Sequence, residues 1–184
     1  VKGKTIVMLI NDPPLPDPAD PTKLDAKMFK GDAMTYYGRW TYKFEMAAKL
    51  GAAAAIIIHE TKPAAYPYSV VMNSWSRENF SINDGPNKNF PPIPAWIHLD
   101  RAKQLFSASN LDFDAMKKAA LSKDFRPVAL KSKMNMKVKN TWRMVDSNNV
   151  LAKIEGSDPM LKNETIIYTA HWDHFGIGEP DPKG

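Results

Sequence analysis

Gly51–Ile58 reads GAAAAIII. A glycine is followed by an unbroken run of small and branched apolar residues. A run this short and this apolar is expected to be a strand buried on both faces. The residues before it carry a helical pattern. Thr41 is placed to cap a helix running to about Leu50, with Gly51 as its stop. Phe44, Ala47, Ala48 and Gly51 fall on one face of that helix. Upstream, Gly3–Ile10 reads as a strand with a buried run at Ile6–Ile10. The order strand, helix, strand predicts a mixed α/β fold.

Outward from this centre the signals vary. Asn11–Asp20 (NDPPLPDPAD) is a proline-rich loop, where missing N–H donors and fixed φ forbid regular structure. Tyr36–Trp40 is an aromatic cluster around Gly38. Glu60–Pro92 is long and rich in Asn, Ser and Pro, a length that implies function or short embedded elements. Ile93–His98 reads as a short strand. Asp100 is expected to cap a helix over Arg101–Ala108, and Asp112 a second over Phe113–Leu121. Pro127 ends the helical part. Val128–Val138 and Trp142–Ile154 then alternate as long strands, with Asn140 in the turn between them. Thr165–Ala170 is a short apolar strand leading into His171. A boundary near Phe125–Lys133 divides the chain into 1–131 and 132–184.

Composition narrows the function. The chain has 184 residues, 43% of them hydrophobic and 24% charged, as in globular domains. The longest apolar run, Ala52–Ile58, is far short of the roughly 20 residues of a membrane span. Val1–Ile10 lacks a cleavage site and reads as a strand, so the chain is expected to start inside a larger protein. There are no cysteines, which leaves His, Asp and Glu as metal ligands. The net charge of +5 raises a nucleic-acid reading. However, the densest basic stretch, Lys131–Lys139, sets lysines on odd positions against Leu130, Met134, Met136 and Val138 on even ones. That is a strand with a solvated lysine face, and it lacks the aromatic interleaving of a single-strand binder. No nucleic-acid partner is expected.

The chemistry gathers at Tyr168–Gly178 (YTAHWDHFGIG). His171 and Asp173 are two apart at a strand end, so they point to one side while Trp172 faces away. Such a carboxylate fixes the tautomer of a metal-binding imidazole, or both residues bind directly. Gly176 and Gly178 allow a sharp turn beside the site. A surface His–Asp pair is the bland alternative. The His-x-His-x-Asp-His pattern of β-lactamase-type metallo-hydrolases fails here, because Thr169 occupies its first position.

Taken in order, these segments resemble co-catalytic zinc aminopeptidases and glutamate carboxypeptidase-like enzymes with an inserted protease-associated domain. Gly3–Val7, the helix Tyr42–Leu50 leading into Gly51–Ile58, and Ile93–Ile97 followed by a helix resemble that inserted domain, a β-rich unit with short flanking helices. Asn149–Gly156 and Ile166–His174 resemble the first strands of the peptidase α/β domain. The resemblance implies His171 as a zinc ligand and Asp173 as the catalytic carboxylate that orients it. It implies two zinc ions in the whole enzyme, with a general base and further ligands after this chain. The chain alone is expected to be inactive. A peptide substrate and the rest of the peptidase domain are the implied partners, and a homodimer is admitted. Secretion or a periplasmic location follows from the resemblance only. The alternative is a non-catalytic protease-associated module that binds peptides or proteins.

The resemblance also suggests that Tyr37 and Arg39 meet substrate, the guanidinium gripping a carboxylate. The other reading packs the aromatics on the helix and leaves Arg39 at the surface. His59 and His98 read as strand-end residues without a second ligand at suitable spacing. Met116, Met134, Met136 and Met144 read as core fillers. Tyr66, Tyr68 and Trp75 either pack the long loop down or form a binding surface.

Overall fold

The computed structural model describes residues 1–83, 85 and 89–173. The chain divides into two units, Val1–Lys137 and Val138–Gly184. The first is mixed α/β. Its sheet has three parallel strands, β1 (Thr5–Leu9), β2 (Ala54–His59) and β3 (Pro94–His98), in the spatial order β1-β2-β3. A helix α1 (Trp40–Lys49) precedes β2. Two short helices, α2 (Thr61–Ala64) and α3 (Tyr68–Trp75), lie between β2 and β3, and α4 (Leu99–Ser107) and α5 (Phe113–Ala119) follow.

The central strand explains the architecture. Every residue of β2 is buried, because both sheet faces are covered. Ile6, Met8, Ala55, Ile57 and Trp96 share one face and pack with Phe44 and Ala47 of α1 and Trp75 of α3. Val7, Leu9, Ile58 and Ile97 share the other and pack with Ala102 and Phe106 of α4 and Phe113 of α5. Helices on both faces of a parallel sheet are what an all-apolar central strand requires. Phe44 is fully buried, a contribution of about 1.5–3 kcal/mol.

Two glycines fix the ends of α1. Gly51 has φ of 71°, the left-handed conformation that closes a helix cheaply only in glycine. Gly38 is needed for closeness instead. A Cβ there would lie 2.8 Å from the Asp12 backbone nitrogen.

Several expectations are corrected. The helix α1 begins at Trp40 with Arg39 as its N-cap, so Thr41 lies inside the first turn. α4 is capped by His98, whose Nδ1 accepts from the Asp100 N–H at 3.3 Å; Asp100 is itself helical. Asp112 does cap α5, accepting from Ala115 N–H at 2.7 Å. The β-rich expectation is met only by these three short strands, since helices hold most of the regular structure.

Val128–Val138, Trp142–Ile154 and Thr165–Ala170 contain no strand among the described residues. Alternation states which side chains share a face, but a strand needs a neighbour to take its hydrogen bonds. The segment around Lys131 is held differently. Its N–H donates to the hydroxyl of buried Ser109, 3.0 Å away. Met134, Met136 and Met144 are exposed rather than in the core.

Candidate functional site

In the second unit, residues 138–173 are exposed and form no helix or strand. His171 and Asp173 nonetheless meet: Nδ1 and Oδ1 are 2.9 Å apart. The contact forms without the strand from which the sequence reading placed the two side chains on one side. The imidazole hydrogen bond holds the Asp173 carboxyl below its usual range, helped by a backbone hydrogen bond at Asp173 itself. An Nδ1–H engaged by the carboxylate leaves the Nε2 lone pair available, the arrangement of a metal-binding histidine. The pair therefore fits one zinc ligand with its orienting carboxylate. Among the described residues no group of three His, Asp or Glu side chains is placed to hold a metal, and a catalytic zinc needs about three protein ligands. His174, Gly176 and Gly178 lie outside the described residues.

Tyr37 and Arg39 belong to the first unit. Tyr36 and Tyr37 are both exposed and meet the Tyr42 ring edge-on, at 5.4 and 5.0 Å between centroids. The Tyr36 hydroxyl donates to Glu45 at 2.5 Å, which raises the pKa of the phenol. Arg39 is exposed. The aromatics thus brace the first turns of α1, while Tyr37 and Arg39 keep accessible side chains.

A second constellation lies at the carboxyl ends of β2 and β3, the usual ligand side of a parallel sheet. His59 is 2% exposed, and its Nε2 has no hydrogen-bond partner among the described residues. Its ring lies 5.5 Å from Tyr66, 5.4 Å from Tyr68 and 6.3 Å from Trp96. Burial lowers its pKa and raises that of Tyr66. Beside it, Lys117 of α5 donates to both carboxylate oxygens of Glu60, at 2.8 and 2.6 Å. The three aromatics of the long loop, Tyr66, Tyr68 and Trp75, therefore pack it down onto the sheet.

Sequence reasoning missed α3. The signal was present: Tyr68, Val71, Met72 and Trp75 have helical spacing, inside a stretch whose Asn, Ser and Pro content reads as loop. The Glu60–Lys117 pair carried no local signal, because its partners come from distant segments.

No described helix is long and apolar enough to cross a membrane. No family model, curated protein or solved structure matches this chain.

Proposed function

We propose that this chain is part of a zinc-dependent exopeptidase. Its first unit is a protease-associated domain that shapes or covers the substrate cleft. Its second unit begins the peptidase domain. The observation that carries the reading is the 2.9 Å contact of His171 Nδ1 with Asp173 Oδ1. Asp173 holds the Nδ1 proton, and His171 thereby presents Nε2 as a ligand atom. A zinc ion in such a centre supplies Lewis acidity toward water and a scissile carbonyl. The other ligands and the general base come from residues that follow. Tyr37 and Arg39, accessible on the first unit, are the proposed substrate contacts.

The test is a zinc titration of this chain followed on its histidine ring resonances. The expected result is coordination at His171 Nε2, lost in His171→Ala. Coordination only at other histidines would overturn the assignment. A peptidase assay with zinc is expected to show no turnover by this chain alone. Turnover at enzyme-like rates would refute the view that the centre needs residues outside it.

A further inference from the structure

Two buried polar atoms of one aromatic cluster lack hydrogen-bond partners among the described residues: Nε2 of His59 and Nε1 of Trp96. Folded interiors rarely leave such atoms unpaired, because each has given up its hydration. The register brings the two side chains together. Ile57 pairs with Trp96 and His59 with His98, so Trp96 and His59 are diagonal neighbours on one sheet face. Their ring centres are 6.3 Å apart. Tyr66 and Tyr68 stand 5.5 and 5.4 Å from the imidazole, and Trp75 stands 6.3 Å from Trp96.

The two atoms are chemically opposite. An indole Nε1–H can only donate. Burial keeps the imidazole neutral, and a hydrogen bond to the Tyr66 backbone favours a proton on the ring nitrogen that makes it. Nε2 is the unpartnered atom, so that nitrogen is Nδ1, and Nε2 carries the lone pair. One N–H and one lone pair define the guest. A cation would face the indole N–H, and an anion would face the Nε2 lone pair. A neutral hydroxyl satisfies both, accepting from Trp96 and donating to His59. The scale agrees, since two hydrogen bonds of about 2.9 Å span up to about 5.8 Å. His59 is only 2% exposed, which restricts the guest to a very small molecule.

We infer that His59 Nε2 and Trp96 Nε1 together bind one neutral hydroxyl group, of water or of a small alcohol. The site lies toward the carboxyl ends of β2 and β3, the usual ligand side of a parallel sheet. It uses none of the residues of the zinc reading and stands whether or not His171 is a ligand.

The test uses the whole chain at about pH 8, where an imidazole is neutral. Rotating-frame magnetisation transfer from water to the Trp96 indole proton is measured. A bound molecule gives a sign opposite to that of chemical exchange, and this sign is expected. Nitrogen spectra are expected to show His59 as the Nδ1–H tautomer. The transfer is expected to persist in Tyr66→Phe and in Tyr68→Phe, and to be lost in His59→Phe, which keeps a ring at that position. Methanol separates the two sources. Saturable shifts at the Trp96 indole and the His59 ring, with loss of the water transfer, would extend the site to alcohols. An unchanged water transfer would assign it to water. Absence of direct transfer in the parent chain, or an Nε2–H tautomer, would overturn the site. Loss of the transfer in either tyrosine variant would make the hydroxyl the protein's own and overturn it as well.

Discussion

His59 and His98 are register partners at the ends of β2 and β3, and the Tyr68 ring stands edge-on to both, 5.4 and 5.1 Å away. Only His59 is buried. Its surroundings favour the neutral imidazole: burial is the largest influence, a hydrogen bond to the Tyr66 backbone opposes it, His98 pushes the same way as burial, and Glu60 and the His59 backbone push the other. The unfolded chain therefore binds a proton that the folded chain refuses. Stability is full above the ordinary imidazole pKa of about 6.5 and is lost as pH falls below it. His59→Phe keeps a ring and removes the titration. Urea midpoints at several pH values are expected to fall on acidification for the parent chain and to change less for the variant.

Glu60 and Lys117 join the end of β2 to α5. The Glu60 side chain is only 13% exposed, so removing its partner strands a largely desolvated carboxylate. Lys117→Met is expected to cost about 2–3 kcal/mol in urea denaturation. Adding Glu60→Gln is expected to recover part of that loss. Additive costs in the double variant would show that the pair is not coupled.

The cap of α5 offers a smaller effect. Asp112 satisfies the Ala115 N–H, and Asp112→Ala is expected to cost about 1 kcal/mol. Asp100→Ala keeps the α4 cap, because that cap is the His98 ring. Thermal melts of both variants compare the two positions, and Asp112→Ala is expected to be the less stable.

Arg39 separates the two readings of the aromatic cluster. Its side chain is exposed, so Arg39→Ala is expected to change stability by no more than about 0.5 kcal/mol. If the proposed exopeptidase reading holds, it is expected to raise KM of the whole protein for a carboxylate-bearing peptide. An unchanged KM would remove Arg39 from the substrate site.

Asp173 is expected to act through His171. Asp173→Asn keeps the shape but no longer fixes the imidazole tautomer, and zinc affinity is expected to drop about tenfold. Zinc titration by calorimetry checks this. An unchanged affinity would reduce the His171–Asp173 contact to a surface pair.

The sheet was legible because each strand announces itself. The run Ala52–Ile58 has no polar residue for a solvent face, so the burial of Ala54–Ile58 on both sides followed from composition, although Ala53 is exposed. Asp112 was legible as a cap because its side chain acts within three residues. The failures share another cause. Val128–Val138 alternates correctly, but alternation does not name a pairing partner. His98 replaced Asp100 as a cap because an imidazole nitrogen is an acceptor that cap preferences understate. At the candidate site, His171 and Asp173 needed only local spacing to meet. The environment of His59 depends on Tyr66, Tyr68 and Trp96, which the chain brings together across a long connection.

The parallel order of the three strands has a kinetic consequence. Thr5 pairs with Ala54, and Ala55 with Pro94; no hairpin among the described residues seeds the sheet. Every rung waits for a long loop to close, so refolding of the first unit is set by chain closure rather than by local turns. Proteolytic nicking between α3 and β3 would turn one of those closures into an association between two pieces. A chain cut there would refold at a rate that depends on its concentration.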